Sequence, residues 1–157
     1  MYVNTCNDYD TPRTDPNAKH ITHDQIKAQT HALFAALDRA DAAGFTAELG
    51  GTFALFESGV VRDRAFLLEG IRERAARDAP ARTRVWQNET IRISENAAVF
   101  SGQAIVHEVG DVEHPGGDYA GWNTLVFSPE RGSFRAMSWQ WVSVGAESGR
   151  NECDPVQ

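Results

Sequence analysis

The last third of the chain constrains its fold most. "TRVWQNETIRI", "AAVFSGQAIVHEV", "YAGWNTLVF" and "SFRAMSWQWV" follow one another as extended, alternating segments. They are separated only by Ser94-Glu95-Asn96, by a loop around His114-Pro115-Gly116-Gly117, and by Pro129-Glu130-Arg131-Gly132. Separators of this kind are turn chemistry, and short connections force neighbouring strands to run antiparallel. Four long strands need one covered face. The preceding residues supply the cover.

"THDQ" at 22 to 25 is a capping box, and Ile26, Leu33, Phe34 and Leu37 then recur at helical spacing. The spacing predicts a helix from Thr22 that fades near Ala43-Gly44, a short second helix from Phe45 to Leu49, and a strand "TFALFE" at 52 to 57. Ser58-Gly59 turns this strand into "VVR". Asp63 then caps a helix striped by Phe66, Leu67, Gly70 and Ile71 that ends before Pro80. Helices gathered on one face of a bent, mostly antiparallel sheet make an α+β domain. Its expected span is 22 to 144, preceded by a polar arm over 1 to 21 and followed by a polar tail over 145 to 157.

Charge excludes some functions. With 22 acidic against 15 basic residues and a net charge of −7, a nucleic-acid partner is not expected. The arginines at 62, 64, 72, 74 and 77 alternate with carboxylates, as on a solvated helix face. No apolar run reaches membrane-spanning length and no signal-peptide pattern opens the chain, so a cytoplasmic protein without a membrane partner is expected. Cys6 and Cys153 lie in the two polar tails; two free thiols, or one bridge in a secreted form, are both compatible with that placement. His20 and His23 are three apart without a completing carboxylate motif, which argues against a metal. No phosphate-cradling glycine loop or nucleophile elbow is present, so no cofactor is expected.

Three of the four tryptophans fall within "GWNTLVFSPERGSFRAMSWQW". Strand parity puts Met137, Trp139 and Trp141 on one face, and Tyr119, Gly121, Asn123, Leu125 and Phe127 on one face of the preceding strand. Apposed, these sets form an aromatic wall with one amide in it, either the core beneath the helices or the lining of a cavity. Gly121 would leave room beside Asn123. His107, in phase with Val99, Ser101, Gln103 and Ile105, would face the same cavity.

The ordered strings "ALDRADAAGFTAEL", "FALFESGVVRDRAFLLEGI", "IRISENAAVFSGQA" and "YAGWNTLVFSPERGSFRAMSWQW" resemble the nuclear transport factor 2-like superfamily, in particular its SnoaL-like and ketosteroid-isomerase-like members. The resemblance spans Thr22 to Val142. It implies a cone of about three helices on a strongly curved sheet, with a pocket between them. Members include isomerases, dehydratases, cyclases and non-catalytic subunits, so fold does not choose among them.

The resemblance places a carboxylate base at Glu57 and the oxyanion donor at Asn123, while the tyrosine donor of the first helix is replaced near Leu33. Leu33, Phe53, Trp86, Tyr119, Met137, Trp139 and Trp141 would be pocket walls. Glu57 is either a desolvated proton shuttle or a solvated residue at its turn. The expected function is cofactor-independent proton transfer, of isomerase, cyclase or dehydratase type, on a hydrophobic, polyketide-like small molecule, with Glu57, Asn123 and His107 as candidate catalytic residues. The alternative is a non-catalytic binding or dimerisation protein, the homodimer forming through the outer sheet face that carries Trp122, Thr124 and Val126.

Overall fold

The computed structural model describes residues 21–144. The predicted arm and tail, with Cys6 and Cys153, lie outside the described residues. Three helices and six strands follow in the order α1 (His23–Asp38), α2 (Ala42–Glu48), β1 (Leu49–Glu57), β2 (Val60–Asp63), α3 (Arg64–Ala76), β3 (Thr83–Ile93), β4 (Ala98–Glu108), β5 (Gly117–Glu130) and β6 (Ser133–Ser143).

The start of α1 is the predicted capping box. Thr22 Oγ1 accepts from the Gln25 backbone N–H at 3.2 Å, and Gln25 Oε1 accepts from the Thr22 N–H at 2.8 Å. Its end comes earlier than the apolar spacing suggests, because Ala40 adopts a left-handed φ of 57° that no helix continues through. Asp41 then caps α2 by accepting from the Gly44 N–H, so the second helix begins at Ala42 rather than at Phe45. Asp63 caps α3 as predicted, accepting from the Phe66 N–H at 2.9 Å. The apolar stripe of α3 is narrower than expected. Ile71 is buried, but Phe66 is about half exposed, with the Arg62 guanidinium 4.2 Å above its ring.

Two hairpins turn through paired left-handed residues: Ser58-Gly59 between β1 and β2, and Arg131-Gly132 between β5 and β6. Such two-residue turns match the natural twist of antiparallel strands, and each sets its glycine at a position of positive φ. The single sheet has the order β2-β1-β6-β5-β4-β3. All neighbours are antiparallel except β1 and β6, which run parallel. Register shifts between Gln87 and Thr90 in β3, and beside Met137 in β6, interrupt the ladder. Bulges of this kind bend strands, and the sheet is curved but unclosed.

The concave face is the buried one. Phe53 and Leu55 of β1, Trp139 of β6, Leu125 and Phe127 of β5, and Phe100 of β4 meet Ile26, Leu33, Phe34 and Leu37 of α1, Phe45 of α2 and Ile71 of α3. Each buried ring or branched aliphatic chain contributes roughly 1.5–3 kcal/mol from lost water contact. Together they fix the helices across the sheet and decide where any hollow can open.

Candidate functional site

Cross-strand register tests the aromatic wall directly. Leu125 lies opposite Trp139 and Asn123 opposite Trp141, while Trp141 also lies opposite Glu57 of β1. One row across three strands therefore runs Glu57, Trp141, Asn123, on the concave side. The inferred facing of the wall is correct. Of the two readings left open for it, a packed core describes the surroundings of Asn123.

Asn123 is fully buried, and the indole N–H of Trp139 donates to its Oδ1 at 2.9 Å. Its Nδ2 donates in turn to the Gly121 carbonyl at 3.3 Å. The amide is thus engaged at both ends by the protein itself. The room expected at Gly121 is filled by Trp141, since a β-carbon on Gly121 would lie 2.5 Å from two atoms of that ring. Trp141 in turn meets Tyr119 edge to face at 6.1 Å. Glu57 sits half buried at the turn end of β1, two strands from Asn123. Strand spacing makes that about 10 Å between backbones, with an indole side chain between them.

The other predicted residues scatter. Leu33 and Phe53 are core residues, and Met137 sits in the β6 bulge against Gly50. His107 belongs to the outer face, exposed, with Nδ1 hydrogen-bonded to Asp118 across the β4/β5 ladder. The phase it shares with Ser101 and Gln103 points away from the helices, because Phe100, Ala104 and Val106 take the inner positions. His107 therefore does not face the interior.

Trp86 leads to a different place. An open hollow of about 330 Å³ lies between α1 and β3. Its walls are His31, Phe34, Ala35 and Asp38 of α1 with Arg39 at its C-cap, and Arg84 and Trp86 of β3 with Arg82 just before it. The helix residues recur at three- and four-residue steps, and the strand residues at steps of two, so each set shares one face of its element. The Trp86 ring packs edge to face on Phe34 at 5.0 Å and on Phe100 at 5.3 Å. His31 stacks on it with planes 8° apart and centroids 5.8 Å apart.

Charged groups frame this aromatic floor. Arg84 holds Asp38 with two bonds of 2.8 Å, both side chains nearly buried, and its guanidinium carbon lies 4.5 Å from the centre of the Phe34 ring. Charge-assisted pairs of this fork geometry are directional and strong. Arg74, also buried, donates to the carbonyls of Leu37, Asp38 and Pro80, satisfying the last carbonyls of α1. Arg82 reaches Glu108 at 3.1 Å, and Arg74 Nε lies 3.6 Å from the same carboxylate oxygen. Burial pushes the nearby Tyr119 phenol above its ordinary pKa; Arg82 and Arg84 oppose this while Glu108 and Asp38 add to it.

At the outer rim Glu89 accepts from Lys27 Nζ at 2.7 Å and hydrogen-bonds His31 Nε2. Partial burial alone would raise the Glu89 carboxyl, but the bonds from Lys27 and His31 outweigh it and leave the pKa below the ordinary carboxylate value. The cleft can therefore hold a planar apolar group on Trp86 while presenting guanidinium donors beside it. Period-two spacing in "RTRVW" carried the signal for Arg82, Arg84 and Trp86, and seven-residue spacing carried it for His31 and Asp38.

No protein-family model and no curated protein sequence matches the chain. Solved structures do. An NTF2-like protein from Cytophaga hutchinsonii is similar with a TM-score of 0.68 at 16% identity, over 80% of this chain and 100% of its own. An NTF2-like protein from Streptomyces avermitilis, named as a candidate dehydratase, gives 0.66 at 13% identity over 78% and 96%. The association domain of the C. elegans kinase CaMKII gives 0.61 at 16% identity over 75% and 92%. Different roles are attached to one architecture, and at these identities the likeness extends to the fold alone. Three helices across a curved, unclosed six-stranded sheet, and the shared topology of these neighbours, identify the fold of this chain as NTF2-like.

Proposed function

We propose that the protein is a small-molecule-binding protein whose site is the α1/β3 cleft, not a proton-transfer enzyme operating through Glu57 and Asn123. One observation carries this reading. The amide at the oxyanion position is fully buried and its Nδ2 donates to the Gly121 carbonyl, whereas Trp86, Phe34, Arg82 and Arg84 line a hollow of about 330 Å³. An apolar floor with a few convergent polar groups is the usual form of a ligand site.

The test uses the four tryptophan indole N–H resonances in a ¹⁵N-labelled protein, assigned by single Trp→Phe substitutions and titrated with a panel of naphthalene derivatives. The Trp86 resonance shifts most on saturation, Glu57→Gln binds as the parent does, and mass spectrometry returns the ligand unchanged. Shifts confined to Trp139 and Trp141, or conversion of a ligand that Glu57→Gln abolishes, would refute the reading.

A second reading is compatible with the first. Phe56, Val85, Ile105, Trp122 and Val142 leave large apolar area exposed on the convex side of the sheet. A shallow hollow of about 320 Å³ lined by Phe56, Thr124, Val126, Ser138 and Gln140 lies on the same side. A sheet face with this much exposed apolar area suits a two-fold contact with a second copy. Sedimentation velocity checks it: the parent sediments as a dimer at micromolar concentration and Trp122→Glu as a monomer, whereas a monomeric parent removes the reading.

A further inference from the structure

We infer that the α1/β3 cleft selects ligands bearing a carboxylate, attached to a planar apolar ring that rests on Trp86; the inference depends on the cleft being the binding site. The chain carries a net charge of −7, yet the cleft is lined by three guanidiniums, Arg39, Arg82 and Arg84, against one carboxylate, Asp38. Asp38 is used up, because Arg84 Nε and Nη2 occupy both of its oxygens at 2.8 Å.

The remaining cations are short of partners. Glu108 is shared between Arg82 at 3.1 Å and Arg74 at 3.6 Å, so one carboxylate serves two guanidiniums. Arg82 Nε is buried and has no hydrogen-bond partner among the described residues. A buried donor without an acceptor is costly, and a charged one more so, while the rest of the Arg82 side chain, 20% exposed, is the part that an anionic oxygen can approach. Arg39 stands exposed at the other rim and adds a cation that enters no ion pair with another described residue. Between them the partly exposed Ala35 and Trp86 offer apolar surface.

One carboxylate fits this arrangement better than a dianion. The carboxylates of Asp38 and Glu108 remain next to the guanidiniums and would repel a second negative charge. The same carboxylates and the arginines together disfavour cations, which would meet Arg39 and Arg82 first.

Isothermal titration of the full chain with 2-naphthoate, 2-naphthylmethanol and 2-naphthyl phosphate tests the inference. The carboxylate binds about tenfold more tightly than the isosteric alcohol, the increment expected of one charge-assisted contact in a partly desolvated site. Raising salt from about 50 to about 500 mM weakens the carboxylate and leaves the alcohol unchanged. Arg82→Gln reduces naphthoate affinity about tenfold, and Arg39→Gln, at an exposed position that cannot threaten folding, lowers it by a smaller factor; neither alters the alcohol.

Equal affinity for carboxylate and alcohol, or tighter binding of the phosphate, overturns the choice of anion while the cleft stands as a ligand site. Absence of binding by all three probes, with the Trp86 resonance unmoved, overturns both readings together.

Discussion

The strongest physical commitment concerns the bond between Asn123 and Trp139, and a double-mutant cycle exposes it. Asn123→Leu keeps the side-chain volume and removes the acceptor, leaving the indole N–H of a nearly fully buried Trp139 without a partner. An unsatisfied buried donor of this kind costs about 1–3 kcal/mol. Trp139→Phe removes the donor instead. It leaves the Asn123 oxygen unpaired and adds a cavity term, because the ring that packs edge to face on Phe34 at 5.0 Å shrinks, so about 2–4 kcal/mol is expected. In the double substitution neither orphan remains, and the loss falls short of the sum of the singles by about 1–2 kcal/mol. Urea unfolding at constant m-value measures all four corners. Additive losses would refute the clamp. So would an Asn123→Leu variant as stable as the parent.

Two further outcomes follow from the geometry. The folded-state pKa of Glu89 is depressed, so its stabilising contribution is complete above the ordinary carboxylate value of 4.5 and is lost as pH falls through the lower folded value. Urea midpoints measured from about pH 6 to about pH 3 therefore fall more steeply for the parent than for Glu89→Gln, and parallel curves would show that the Lys27–Glu89–His31 cluster stores no such linkage. Gly121→Ala drives a methyl group to 2.5 Å from the Trp141 ring and 2.7 Å from the Val142 carbonyl. It costs about 1–3 kcal/mol in the parent and less in a Trp141→Leu background, as thermal unfolding would reveal.

Periodicity made the architecture legible and left the site obscure, for identifiable reasons. Thr22 and Asp63 announced their helices because a cap acts within four residues, and Pro129-Glu130-Arg131-Gly132 announced a turn, which the structure narrows to the left-handed pair Arg131-Gly132 while Pro129 and Glu130 continue β5. Parity likewise put Trp139, Trp141 and Asn123 on one face, where they are found. Parity reports direction, however, not free volume. Whether Gly121 leaves a hollow or receives a ring depends on the χ angles of Trp141, which no pattern of residue types encodes. His107 failed differently. Both faces of β4 alternate plausibly, and only the position of Phe100 and Val106 beneath the helices settles which side is inner.

The charged cleft was hidden by a third cause. Arg82 and Arg84 in "RTRVW" look like the solvated face of an edge strand, and Asp38 looks like an ordinary residue at a helix end. They become a site only because the end of α1 is set against β3, with Arg74 reaching from α3 to the Leu37 and Asp38 carbonyls and the Arg82 backbone N–H bonded to the Asp38 carbonyl at 3.1 Å. Arg74 of α3 therefore holds both Leu37 and Asp38, and Arg82, just before β3, and Arg84 within it hold Asp38 a second time. Breaking the buried Asp38–Arg84 pair on one side would strand a charge at a cost of about 3–5 kcal/mol, so the cleft and the stability of the domain share the same residues. That coupling sets the arginines beside the end of α1. The pair that anchors α1 to β3 also packs on the aromatic floor, with the Arg84 guanidinium carbon 4.5 Å from the centre of the Phe34 ring and 5.5 Å from that of Trp86.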